Sequence, residues 1–266
     1  MLFFNILSEA YKLFDRQWRL ILLGSALSIG LAAIISVILP LYVHFPSITE
    51  MGPDGKPITI DYGSFVSNMI IALADLWLLG FVASIVKNEI SSSRAKFFTI
   101  ARNATIIYPK IILVNMISAM TITISVIAVF PALLMFANSI GIVFLIPAAV
   151  FFTWFSLIIP VTVLEEIRGI RSIFARSRTL VQGFFFTIFA MQFSIVFLIP
   201  SLVVTDLPSD SNYAEALRFF ITALLMILEA VVTVSTYMSV RAAKGEQLIN
   251  KIEDNSKEVV KETTDI

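Results

Sequence analysis

Along this chain the apolar positions fall into long, nearly uninterrupted runs separated by short polar stretches. The runs are too long for strands and lack the polar face of a helix packed on a water-soluble core. About 20 mostly apolar helical residues cross the roughly 30 Å hydrocarbon layer of a bilayer. Six runs meet that length: Leu20 to Val43, Phe65 to Val86, Ile111 to Phe136, Ile140 to Leu164, Phe184 to Val204 and Leu217 to Val240. Only Ala137, Asn138 and Ser139 separate the third from the fourth, which predicts a tight helical hairpin, because the joined run is far too long for one crossing. The expected fold class is all-α, a polytopic integral membrane protein with six transmembrane helices. Residues 1–240 form its membrane domain and residues 241–266 a charged cytoplasmic tail.

The polar stretches have their own periodicity. Before the first span, Phe3, Leu7, Ala10, Phe14 and Trp18 recur at helical spacing, with Glu9, Lys12 and Arg16 on the other side. Ser91 to Tyr108 repeats the pattern, with Arg94, Lys96 and Arg102 against Phe97, Ile100 and Ile107. Glu166 to Val181 does so again, with Arg168, Arg171, Arg176 and Arg178 against Ile170, Ile173, Phe174 and Leu180. Each stretch reads as an amphipathic helix at a membrane interface. The chain is thus expected to consist of three units, each an interfacial amphipathic helix followed by a helical hairpin, with Arg16, Arg102 and Arg178 at loosely equivalent places.

Composition agrees with this division: 58% of the 266 residues are apolar and only 14% charged, against about 25% charged in an ordinary soluble domain. Cysteine is absent, which excludes disulfides and thiolate chemistry. The 19 basic and 19 acidic residues cancel in total but not in place. With spans alternating in direction, seventeen of the bases fall on one side, and only Lys56 and Arg218 on the other. The positive-inside rule then puts both termini in the cytoplasm. Lys12, Asp15, Arg16 and Arg19 before a long apolar run argue against a cleaved signal peptide. The outer segments carry Glu50, Asp54, Asp61, Asp206, Asp210 and Glu215, an acidic face. Gly52 to Pro57 is a turn sequence in the outer loop, Ile58 to Tyr62 an extended piece after it, and the loop reads as a solvated connector. His44, the single histidine, has no nearby partner for a metal, so neither metal nor cofactor is expected.

Near the inner end of the fourth span stand Pro160, Val163, Glu166, Gly169, Arg176, Ser177, Arg178, Leu180 and Gly183. This spacing resembles the "P…V-x-E…R-S-x-x-L-x-x-G" signature of the glycerophosphodiester phosphodiesterase membrane-domain family and its relatives of unknown function. Leu7 to Phe14 is similar to the opening interfacial helix of that family. The resemblance implies an integral-membrane fold over about Phe3 to Val240. It does not imply phosphodiesterase activity, because the soluble catalytic barrel of some members is missing from these residues. Physically, Glu166 is placed to pair with neighbouring guanidinium groups such as Arg176, and Ser177 to bond at the bend. The alternative for the arginines is the binding of a headgroup phosphate.

Asp75 and Glu229 are the only ionisable residues well inside the spans. A central acid is costly in hydrocarbon and marks a functional hypothesis with an internal partner. Asn68, Ala72 and Asp75 form a small and polar stripe on the second span, and Thr222, Glu229, Thr233 and Thr236 another on the sixth, so both should face the interior. No basic side chain lies at their depth, and at least one acid is expected to be protonated, either as hydrogen-bonding glue or as a proton- or cation-handling pair. Gly24, Ser28 and Ala32 supply a small face for close helix contact. Pro40, Pro131, Pro147, Pro160 and Pro200 predict kinks.

No hydrolase, metalloprotease or nucleotide-binding motif is present. Glu165-Glu166 is similar to the Glu-Glu-x-x-x-Arg motif of prenyl-protein endopeptidases, but Ile170 occupies the arginine position. The chain is therefore expected to be a non-enzymatic cell-membrane protein, an accessory, scaffold or lipid-interacting subunit. Its expected partners are membrane lipids and either a protein partner or further copies of itself, not nucleic acid. The alternative is a small proton- or cation-coupled secondary transporter using Asp75 and Glu229.

Overall fold

The structure, a computed structural model, describes residues 2–43, 47–51, 57–91, 96–135, 146–165, 167, 169–204 and 212–246. Its helices are α1 (Leu2–Tyr42), α2 (Tyr62–Ile90), α3 (Phe97–Met135), α4 (Ile146–Phe155), α5 (Ile158–Leu164), α6 (Ile170–Val181), α7 (Phe185–Phe193), α8 (Ile199–Val204) and α9 (Asn212–Ala243), with a π turn at Ser194–Leu198. Strands β1 (Ser47–Met51) and β2 (Pro57–Asp61) form an antiparallel hairpin between α1 and α2, pairing Ser47 with Asp61 and Met51 with Pro57. The extended piece expected near Ile58 is thus the second strand of a hairpin. His44, the turn 52–56, the Ala137 to Ser139 connection, Glu166 and the tail beyond Glu246 lie outside the described residues.

The chain is an all-α polytopic protein. Among the described residues five helical runs are long and apolar enough to cross a membrane, and a sixth span results when the bent pair of α6 with the α7–α8 run is counted as one. The amphipathic stretches behave differently from one another. Between Leu2 and Leu23 no Gly or Pro interrupts the chain, so the first stretch and its span form one helix of 41 residues, about 60 Å long at 1.5 Å per residue. The second stretch likewise continues into its span as α3, through Pro109. Only the third is a separate helix. Gln182 leaves the helical conformation, Gly183 takes φ +95°, and the chain bends by 102° into α7. A positive φ of that size is open to glycine and strained for other residues.

Two prolines account for the other breaks. α4 and α5 are separated at Ser156 and Leu157, where the ring of Pro160 would collide with the carbonyl four residues earlier. Before Pro200 the helix widens into the π turn, in which the Ile199 N–H reaches the Ser194 carbonyl five residues back.

α1 packs against α2 and α9, and α2 also packs against α3, α9 and α5. Ile6, Ile21, Leu78, Phe81, Val234 and Tyr237 are fully enclosed there. Because lipid tails are as apolar as leucine, close approach and interhelical hydrogen bonds hold such a bundle. Gly24 permits the closest approach: a Cβ there would lie 2.3 Å from Cε1 of Phe81. One turn on, the Ser28 hydroxyl donates to the Ala74 carbonyl at 2.6 Å. The small face expected on the first span therefore meets α2. The Tyr108 hydroxyl donates to the Leu73 carbonyl at 2.6 Å and Trp77 Nε1 to Thr105 at 3.2 Å, tying α3 to the same helix. Leu23, Leu31, Ile34, Ile124 and Ile127 are exposed on the outside of the bundle, where a bilayer would cover them.

Candidate functional site

Polar side chains gather at two levels. The first is the middle of the bundle. Asp75 on α2 and Glu229 on α9 approach closely enough that the Glu229 charge acts on Asp75. Asp75 Oδ1 is buried and has no hydrogen-bond partner among the described residues. Ser28 of α1 closes the same level through Ala74, the neighbour of Asp75. One turn along α9 from Glu229, buried Thr233 accepts a hydrogen bond from Gln192 Nε2 of α7 at 3.2 Å. Two carboxyl groups within electrostatic reach of each other on different helices can share a proton or hold a cation.

Asp75 and Glu229 are half-buried and Thr233 is buried. Asn68 is exposed, as is Ala72. Continuous burial of α2 begins only at Leu78, because the neighbouring helices cover its other half. Spacing placed Asn68 on the right face of the helix, but that face extends beyond what α1 and α9 cover.

The second level lies where the N-terminal part of α1, the C-terminal ends of α2, α5 and α9, and all of α6 come together. Glu165, just after α5, is its centre. Arg176 Nε donates to Glu165 Oε2 at 2.8 Å and Oε1 at 3.1 Å. The Tyr237 hydroxyl donates to Oε1 at 2.8 Å and in turn accepts from Arg241 Nη1 at 2.9 Å. The other edge of the Arg176 guanidinium is spent on Glu246, with Nη1 to Oε1 at 3.1 Å and Nη2 on Oε2. Arg241 Nε stands 3.3 Å from Glu246, within ion-pair reach. Two arginines and two glutamates therefore tie α5, α6 and the end of α9 together by planar, multiply bonded contacts. The Arg176 hydrogen bond holds the Glu246 carboxyl below the usual carboxylate range, and the Glu246 bond pushes Arg176 further up.

Around this knot α6 is seated by its own residues. Buried Ser177 donates to the Trp154 carbonyl at 2.6 Å, Arg178 lies 4.5 Å over the Trp154 ring, and Phe174 meets Phe155 edge to face at 4.8 Å. Gly169 caps α6 in extended conformation, its carbonyl accepting from Ile173. Lys110 Nζ holds the preceding loop through the Ile167 carbonyl at 2.5 Å, and Lys244 bonds the Thr179 carbonyl.

Of the signature residues, Arg176, Ser177, Arg178 and Gly169 therefore all bear on how α6 docks. Among the described residues Arg176 pairs with Glu165 and Glu246, and the expected Glu166 lies outside them. The three arginines taken as equivalent have different surroundings: Arg16 pairs with Glu89 at 2.7 Å, Arg178 lies on Trp154, and Arg102 is exposed. Sequence reasoning did not single out Gln192, Tyr237, Arg241 or Glu246. A usable signal existed for two: Tyr237 and Arg241 are four residues apart, and so share a helix face. Gln192, a lone amide in an apolar run, offered a similar clue.

Among the described residues no group of acids and histidines is arranged to hold a metal ion. Comparison of the chain with family models, curated proteins and solved structures finds no match.

Proposed function

We propose that this chain is a multi-pass cell-membrane protein with cytoplasmic termini that acts without catalysis, as a lipid-interacting or accessory subunit. The main support is α6. It is bent by 102° from the span that follows, it buries Ile173, Ser177, Leu180 and Val181 against the bundle, and it leaves Arg171 and Arg178 exposed. A helix laid across the bundle end with arginines outward meets anionic headgroups, each base near the surface contributing about 1 kcal/mol. The similarity of its sequence to the glycerophosphodiester phosphodiesterase membrane-domain signature fits a structural seat for this helix rather than a reaction centre.

The experiment is reconstitution of the purified protein into nanodiscs of neutral or anionic lipid. Thermal stability is expected to be higher in the anionic discs, and Arg171→Glu, which leaves the Arg178 contact with Trp154 in place, to narrow the difference. Equal stability in both lipids would count against the reading.

A second reading is favoured by one observation, a buried Asp75 oxygen that has no hydrogen-bond partner among the described residues, on a helix that packs against the one carrying Glu229. In it the protein is a proton- or cation-coupled transporter. Proteoliposome flux driven by a pH gradient, lost in Asp75→Asn and in Glu229→Gln, is the expected result; flux unchanged by both variants would remove these acids from any transport path.

A further inference from the structure

Among the described residues α3 is the least covered of the long spans, and one side of it is not purely apolar. Asn115, Ala119 and Thr123 follow one another at steps of four, so they form a stripe about 12 Å long on that side. Asn115 is half-buried at the edge of the bundle, and Ala119 and Thr123 are exposed. In the same helix Thr121 and Ser125 return their hydroxyls to the carbonyls of Ile117 and Thr121, each at 2.8 Å. Asn115 and Thr123 make no hydrogen bond among the described residues.

Depth makes this costly. Lys110, which holds the Ile167 carbonyl, is the last base before the apolar run. Asn115 lies about 7 Å further along the helix and Thr123 about 20 Å, near the middle of the run. Hydrocarbon offers neither donor nor acceptor, and in membranes such side chains are satisfied across helices. An accessible carboxamide and hydroxyl on the outside of a span therefore point to a polar partner from another helix.

The chemistry of the stripe says which helix. A carboxamide and a hydroxyl each carry both a donor and an acceptor, so each is complementary to itself. Every copy of the chain enters the bilayer in the same orientation, set by its basic loops. Two α3 helices related by a twofold axis along the membrane normal thus meet in parallel, Asn115 against Asn115 and Thr123 against Thr123 at equal depth. An unrelated helix would have to match both depths by its own sequence; a second copy matches them by symmetry. Ala119 between them is small enough for the backbones to approach, and no charged residue stands between Ile111 and Met135 to repel a copy. We propose that this stripe of α3 is the interface through which two copies of the chain form a parallel homodimer in the membrane. It uses none of the α6 arginines, so it goes beyond the lipid-interacting reading and stands apart from it.

The chain has no cysteine, so single introduced cysteines report contacts without background. The full chain is reconstituted in liposomes at a low protein-to-lipid ratio, and oxidative cross-linking of Ala119→Cys is compared with that of Leu113→Cys and Ile124→Cys, which lie exposed on another side of α3. Ala119→Cys is expected to give a covalent dimer and the other two none. Counting labelled copies per liposome, Asn115→Leu should weaken dimerisation about tenfold, the worth of two interhelical hydrogen bonds. Asn115→Gln keeps the carboxamide and should retain most of the dimer. Circular dichroism of each variant checks that the helices persist. Equal cross-linking at all three positions, none at Ala119→Cys, or a dimer indifferent to Asn115→Leu would each overturn the interface.

Discussion

Replacing Glu165 by Gln keeps the shape of the side chain and removes its charge. The side chain is 10% exposed, and it is the acceptor for Arg176 at 2.8 Å and Tyr237 at 2.8 Å, with Arg241 at 3.6 Å. In the variant, Arg176 and Arg241, 24% and 11% exposed, are left with Glu246 as their shared anion. Breaking a buried pair by removing one partner costs about 3–5 kcal/mol. Glu246 remains and Arg176 keeps access to water, which screens part of that loss. The amide oxygen can also still accept from Tyr237. A loss of about 2–3 kcal/mol follows. By contrast Tyr237→Phe leaves every charge paired and should cost about 1 kcal/mol. The assay is reversible unfolding in mixed micelles followed by the fluorescence of Trp154, which lies beneath α6. Combining Glu165→Gln with Arg176→Met should cost less than the sum of the single changes, because neither charge is then stranded. Additive losses, or a Glu165→Gln effect below about 0.5 kcal/mol, would refute the idea that this carboxylate organises the bundle end.

Three further outcomes are expected. Gly24→Ala drives a methyl into Phe81, which is fully buried and stacked on Trp77 at 5.2 Å, and should cost about 1–3 kcal/mol, visible as a lower unfolding midpoint and a changed Trp77 emission. Gly183→Ala forces a side chain onto φ +95° and should cost about 1–3 kcal/mol, with faster hydrogen exchange in α6 as its bend relaxes. Glu246 has its carboxyl held low in the folded state, so its contribution is complete above the unfolded carboxylate value of about 4.3 and is lost as pH falls through the folded value. The stability difference between the native chain and Glu246→Gln should therefore be constant near neutrality and close under acid, as measured by unfolding at a series of pH values.

The hydropathy runs by themselves determined the class, the approximate spans and the two acids within them. These properties are local sums: twenty apolar residues must bury their backbone as helix in lipid, whatever surrounds them. The π turn before Pro200 and the break before Pro160 were likewise legible as kinks, since proline acts on the turn preceding it. Tertiary structure decided the rest. Whether an amphipathic stretch is a separate helix depended on a left-handed glycine at Gly183 and on the lack of any breaker between Leu2 and Leu23. That Glu165 meets Arg176 depended on where α5 ends relative to α6 and α9. The same helical face half-buries Asp75 and leaves Asn68 exposed, because only part of α2 is covered. Periodicity names the face of a helix; the crossings of its neighbours decide how far along that face is buried.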